Sequence, residues 1–220
     1  MRYHAGDFFS AFAVVQGRMI LFVTPVEDLV DVRGVPVSSD ISFRHLVVTG
    51  PPGCGKTALV ETLRGWPEEG YLDLTTRNWW RSRLLTFRPR EVHFGLPFRD
   101  HAESHAVFDQ EWLDNPTPVD VDRIVLPPRK SGFLTRDWRS RYVFEFLLPS
   151  PEDIFDARSR RVRRGTHPVD QALSLETIRA QHQAYETVAV HFHRHGMKVF
   201  VRTTFGGAPQ QIVDSERSAV

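Results

Sequence analysis

The chain has 220 residues, 41% of them hydrophobic and 25% charged, with 28 Lys+Arg against 27 Asp+Glu. That is the composition of an ordinary globular chain with one good core, or one core and an appendage. No apolar run approaches the roughly 18 residues a membrane span needs, and a formal charge of +1 gives no general pull toward nucleic acid or anionic lipid.

Met1 to Ser10 lacks the continuous apolar stretch of a secretory signal. Phe12–Val15 and Met19–Val23 are short β-type stretches around Gln16-Gly17-Arg18, and Val30–Val37 follows with a possible turn at Arg33-Gly34. These predict one or two hairpins. His45–Thr49 is a compact apolar run that leads into Gly50-Pro51-Pro52-Gly53-Cys54-Gly55-Lys56-Thr57, and Ala58–Leu63 then reads as a helix.

Tyr71–Leu74 is a short strand candidate. Thr75 to Arg141 is rich in Arg, Trp, Phe and Pro, with small apolar islands at Val92–Phe98, Ala106–Phe108 and Ile124–Leu126, and is read as a loop-rich insertion. Tyr142–Leu148 is apolar almost throughout, which predicts a central strand. Ser150-Pro151-Glu152-Asp153 supplies an N-cap hydroxyl, a proline at the first helical position and an acid three residues after the cap. That helix should run to about Arg164, before Gly165. A longer one follows from Ser174 until Gly196, with Leu175, Ile178, Tyr185, Val188, Ala189 and Phe192 near a 3.6-residue period. Met197–Val201 is expected to be the final strand, with a frayed tail from Gly206. Strands alternating with helices after residue 45 predict a doubly wound α/β sheet.

Gly50 to Thr57 matches G-x-x-x-x-G-K-[ST] in full, between an apolar strand and a helix. Gly50, Gly53 and Gly55 let the backbone approach an anion with its N–H groups turned inward. The helix start adds its positive end. Lys56 is expected to bridge the β- and γ-phosphates of a nucleoside triphosphate and Thr57 to take one position on Mg²⁺, with Cys54 and Ala58 contributing backbone to the same cradle. Cys54 is the one cysteine, so no internal disulfide forms, and a reducing cytoplasmic compartment fits. Beside Lys56 and a helix N-terminus its thiol is either activated or a spectator whose backbone N–H matters, and the second reading is preferred.

With this loop in this context the chain resembles P-loop NTPases, and more particularly the small kinases of nucleotides and metabolites, guanylate kinase-like enzymes among them. The resemblance spans about residues 45–205. It implies a P-loop α/β unit with a doubly wound, mostly parallel sheet flanked by helices, and around that unit the chain is read as a β-hairpin extension at 1–44, a loop-rich insertion at about 78–141 and a flexible tail at 206–220. It places Asp73, 17 positions after Lys56, where such kinases carry an acid that holds Mg²⁺ or takes the proton of the acceptor hydroxyl. Asp109 is the second choice for that acid. Thr75-Thr76-Arg77 resembles the run that binds an acceptor's phosphate, with Arg77 the anion ligand, although Asn78-Trp79-Trp80-Arg81 departs from the guanylate kinase pattern and puts GMP in doubt. Trp79 and Trp80 either stack on a substrate or fill a core.

Arg158, Arg160, Arg161, Arg163 and Arg164 resemble a lid that closes over the triphosphate, with Arg161 and Arg164 chosen as the catalytic pair. A solvated basic face or a nucleic-acid patch is the competing reading of those arginines. Thr203–Pro209 resembles a loop that contacts the adenine base. The implied ligands are ATP and Mg²⁺, and the implied reaction is transfer of the γ-phosphoryl group to a small-molecule or nucleotide acceptor. The alternative is an ATPase switch acting on a macromolecular partner. His191, His193 and His195, on a helix, cannot share one face. Zinc at these positions, or at His101 and His105, is the lesser reading beside an exposed helix end.

Overall fold

The computed structural model describes residues 14–15, 18–19, 21–43, 45–63, 71–73, 115–121, 142–165 and 174–213. Val14–Val15 (β1) and Arg18–Met19 (β2) form a small hairpin, and Val23–Pro25 (β3) follows. Leu29–Val32 (β4) and Val35–Ser38 (β5) pair antiparallel across Arg33 and Gly34, whose φ angles of 54° and 83° suit a two-residue turn with both central residues left-handed. A 3-10 helix at Ser39–Phe43 leads on. Next come His45–Thr49 (β6), Lys56–Leu63 (α1), Tyr71–Asp73 (β7), Tyr142–Leu147 (β8), Pro151–Arg163 (α2), Leu175–Arg194 (α3), Lys198–Arg202 (β9) and Gln210–Ile212 (β10).

The main sheet has the order β3-β10-β9-β8-β6-β7. β9, β8, β6 and β7 run parallel, whereas β10 is antiparallel to β9 and β3 antiparallel to β10. The fold is therefore α/β on a mixed sheet. Residues 46–49 of β6 and 143–147 of β8 are buried on both faces, which is why these stretches read as nearly continuous apolar runs rather than as alternation.

Two features differ from the sequence expectation. Residues 210–212, expected in a frayed tail, form β10, and β3, expected in a separate extension, pairs with it at the sheet edge. Backbone ladder bonds place these segments. Gln210 and Gln211 carry no apolar pattern, and only Ile212 of β10 is buried.

One face of the sheet packs Phe144, Phe146, Val199 and Val201 against Tyr185, Val188, Ala189 and Phe192 of α3. Phe192 meets Phe144 and Phe146 edge-on, with ring centroids at 5.0 and 6.0 Å. The other face packs Leu46, Val48, Val143, Leu147 and Phe200 against Leu59 and Leu63 of α1, Val32 and Val37 of the β4–β5 hairpin, and Ile154 of α2. From the expected insertion only residues 115–121 are described, and Val119 and Val121 pack against the α3-side cluster.

Both long helices start as their sequences imply. Ser150 Oγ accepts from the Asp153 N–H at 3.1 Å with Pro151 at the first turn, and Ser174 Oγ accepts from the Thr177 N–H at 3.0 Å. Among the described residues no helix is long and apolar enough to cross a membrane.

Candidate functional site

The glycine loop lies where β6 ends and α1 begins, at the carboxyl edge of the parallel strands. Its backbone is fixed by neighbours on two sides. A methyl group on Gly50 would sit 2.4 Å from the Leu147 carbonyl oxygen and 2.8 Å from Cys54 Sγ, so only glycine lets β8 and the buried cysteine come this close. A methyl on Gly53 would sit 2.6 Å from Arg158 Cγ and 3.4 Å from an Arg161 guanidinium nitrogen.

Within the loop the Cys54 N–H donates to the Pro51 carbonyl at 3.3 Å. Among the described residues no backbone carbonyl outside α1 accepts from the N–H groups of Gly53, Gly55, Lys56 or Thr57. The Lys56 N–H is hydrogen-bonded to the Cys54 sulfur, and the other amides at the start of α1 belong to the set that a helix N-terminus leaves without an intrahelical acceptor. The Lys56 side chain is buried and its ammonium donates to the Gly50 carbonyl at 2.7 Å and the Pro51 carbonyl at 3.0 Å. Thr57 and Ala58 are exposed on the first turn of α1.

Cys54 is 2% exposed, with its sulfur 3.7 Å from Lys56 Nζ. Burial pushes its thiol up, against the pull of the Lys56 charge and hydrogen bonds. A thiol that stays protonated is a weak nucleophile.

Asp73 closes β7, and its backbone lies opposite Val48 in the strand that enters the loop. β7 is thus the immediate neighbour of β6, so this acid falls at the same carboxyl edge as the glycines. Arg77, Asp109, Trp79, Trp80, His101 and His105 lie outside the described residues.

The arginines of α2 separate by face. Ile154, Arg158 and Arg161 follow one another at four- and three-residue spacing, so they share a stripe. Ile154 is fully buried and Arg158 is 7% exposed. Arg160, Arg163 and Arg164 are exposed. Arg164, chosen from the sequence as one of the catalytic pair, is the C-cap of α2, and its backbone N–H bonds back to the carbonyls of Arg160 and Arg161. The contact with the loop at Gly53 is made by Arg158 and Arg161. Arg158, a member of the cluster but not of the pair singled out from the sequence, lies four residues after the apolar Ile154, which puts it on the inward stripe. α2 is held to α3 by the Arg179–Glu152 ion pair at 2.6 Å.

Beside the loop lies a cleft of about 190 Å³, walled by Ala58, Leu59 and Thr62 of α1, by Val35 of β5, and by Thr204 and Phe205 after β9. Phe205 is 45% exposed, and its ring lies 3.4 Å from where a methyl on Gly55 would be. The residues around Thr203–Pro209 thus do stand next to the loop. A second and larger cleft, about 840 Å³, opens on the α3 side and includes Leu148, His182, Glu186 and Thr203.

The chain residues are chemically suited to a magnesium-bound polyphosphate. Thr57 offers a hydroxyl and Asp73 a carboxylate, hard oxygen donors of the kind Mg²⁺ takes alongside phosphate and water. The glycine-lined cradle supplies backbone N–H groups and one ammonium. His195 sits at the C-cap of α3 with Nδ1 2.8 Å from the His191 carbonyl oxygen, and among the described residues no three potential ligands gather as a metal group. Compared with known proteins, the chain matches no family model, no curated protein and no solved structure.

Proposed function

We propose that this chain is a P-loop phosphotransferase that binds Mg-ATP at Gly50–Thr57 and moves the γ-phosphoryl group to a small-molecule or nucleotide acceptor. The observation that carries the reading is the strand–loop–helix at β6 and α1, with a buried lysine ammonium folded into the loop beside the first-turn amides of the helix. An incoming polyphosphate exchanges the two carbonyl acceptors of Lys56 for oxyanions, which make stronger, charge-assisted bonds. The amides of Gly53, Gly55 and Lys56, at the positive end of α1, complete the cradle.

Magnesium, held by Thr57 and Asp73, would supply charge neutralisation on the phosphate oxygens. Asp73 orients the acceptor hydroxyl or takes its proton. Arg158 and Arg161, already packed on the loop, neutralise charge that grows on the transferring group, and α2 keeps water off that side. The cleft beside Phe205 takes the base, which is the role the resemblance gives to the 203–209 loop. The doubly wound P-loop fold is part of the same proposal, supported by the parallel order β7-β6-β8-β9 with α1 and α3 on opposite faces.

The test is acceptor dependence. The purified chain is incubated with Mg-ATP and a metabolite and nucleotide library, with ADP and phosphorylated product both measured. A product that requires its acceptor and disappears in Lys56→Ala and Asp73→Asn supports the reading. ADP release raised only by a macromolecule, with no phosphorylated small product, overturns transfer in favour of a nucleotide-dependent switch.

A further inference from the structure

The β4–β5 hairpin belongs to none of the parallel strands, yet it is fastened to the candidate site at several points. Arg202, the last residue of β9, is 2% exposed and fans its guanidinium over three elements. Nε donates to Glu145 of β8, one terminal nitrogen donates to the Gly207 carbonyl, and the other donates to the Pro36 carbonyl at 2.7 Å. At the hairpin tip Arg33 donates to the Thr62 carbonyl at the end of α1, 3.2 Å away. Behind the hairpin, Lys198 of β9 pairs with Asp40 of the 3-10 helix.

These ties define the cleft beside the loop. Arg202 holds Pro36, next to the wall residue Val35, and Gly207, two residues past the other wall residue Phe205. At about 190 Å³ the space is below the roughly 300 Å³ where pockets for drug-sized ligands begin. It suits a single flat ring system better than a whole nucleotide. Its walls are apolar at Val35, Leu59 and Phe205, with hydroxyls at Thr62 and Thr204, so a heteroaromatic ring finds both a face to stack on and polar groups at its edge. The three bonds use three different nitrogens of the guanidinium, and a lysine, whose three donors radiate from a single nitrogen, cannot span the same acceptors. Glu145 provides the opposite charge without which that buried cation would be strongly unfavourable.

We propose that Arg202 is a positioning residue for base selection: by pinning the β4–β5 hairpin and the 203–207 loop to the sheet it fixes the cleft width, so that Val35 and Phe205 decide which nucleobase ring enters. This rests on the Mg-ATP reading above and deepens it, because it gives the hairpin, a segment outside the strand–loop–helix, a part in selecting the substrate.

The experiment is calorimetric titration of the full chain and of Arg202→Lys and Val35→Phe, each with Mg-ATP and with Mg-tripolyphosphate, which has the charge but no base. Lysine at 202 keeps a cation for Glu145 but cannot hold both walls. Phenylalanine at 35 narrows the cleft, which Cys54 and Gly55 of the loop also line, from the hairpin side, and the tripolyphosphate arm reads any effect on the loop itself. The expected result is Mg-ATP affinity lowered at least tenfold in both variants, with tripolyphosphate affinity within twofold of the unaltered chain. Equal weakening of both ligands would make Arg202 a plain structural support and overturn the proposal, as would no change in either. Should Arg202→Lys fail to fold, Val35→Phe alone decides. If the unaltered chain takes up neither ligand, the glycine-loop reading fails, and this inference with it.

Discussion

Replacing Gly53 by alanine tests whether α2 is packed on the glycine loop as described. Gly53 has φ 87°, and its added methyl would meet Arg158 Cγ at 2.6 Å and Cδ at 3.0 Å. Gly34 is the natural control, because it has nearly the same φ, 83°, and nothing within 4 Å of an added methyl. The left-handed conformation costs an alanine about 1–2 kcal/mol, of which about 0.4–1 kcal/mol is offset by the stiffer unfolded chain. Gly34→Ala is therefore expected to lose about 1 kcal/mol. Gly53→Ala adds overpacking against a buried side chain, about 1–3 kcal/mol more. Arg158→Ala removes both clashing carbons, so the double variant Gly53→Ala/Arg158→Ala should recover that second part. Stability is read by guanidinium denaturation of the four chains of the cycle and of Gly34→Ala. A coupling of at least 1 kcal/mol between positions 53 and 158 is expected. Additivity within about 0.5 kcal/mol, the behaviour of distant sites, would refute the contact and remove Arg158 from the proposed site.

Two further outcomes follow from the same elements. Ser150→Ala deletes the oxygen that accepts the Asp153 N–H and should cost about 1 kcal/mol, a fall in Tm of about 2–4 °C for a chain of this size; an unchanged Tm would mean that α2 does not depend on its cap. His182 lies between α3 and the end of β8, with Glu186 at 3.6 Å and the Leu148 carbonyl at 3.4 Å. Burial lowers its pKa, but the Glu186 carboxylate and the Leu148 and Pro149 carbonyls outweigh that and hold it above the ordinary 6.5. A raised folded-state value makes the contribution full below pH 6.5, and it is lost as pH rises through the folded value. His182→Gln should flatten the fall in unfolding free energy between about pH 6 and 8, and an equal fall in both chains would count against the Glu186 pairing.

The strand–loop–helix was legible because each of its parts has a strong local cause: an apolar run that is buried, glycines at positive φ where other residues are disfavoured, and a helix that begins at Lys56. α2 was equally plain, since Ser150 and Pro151 act within one turn. β10 was not, because Gln210 and Gln211 are placed by pairing with Val201 and Phe200 rather than by their own burial. Arg202 was hidden for a related reason. One charge at the end of an apolar strand reads as an edge, and one glutamate inside Tyr142–Leu147 reads as an irregularity. Only the parallel register of β8 and β9 brings the two together on one face, and a period-2 reading of both strands at once would have found the pair. Within the arginine cluster the local signal is phase: Arg158 lies four residues after Ile154 and is buried, whereas Arg164 is exposed at the C-cap.

Lys56 and the α2 arginines together bear on what the loop can select. Any ligand that takes Lys56 must replace two neutral carbonyl acceptors, at 2.7 and 3.0 Å, so its net gain is a difference between acceptors rather than the whole value of an ammonium bond. A neutral oxygen gains almost nothing by that exchange. An oxyanion gains, because bonds between charged partners are roughly twice as strong as neutral ones. Arg158, buried against Gly53, places a second positive charge beside the same loop. On the proposed reading, ligand choice at the loop is set by charge density and choice at the neighbouring cleft by the shape between Val35 and Phe205. The two can be varied separately, and a polyphosphate chain joined to a flat ring is the kind of ligand that satisfies both.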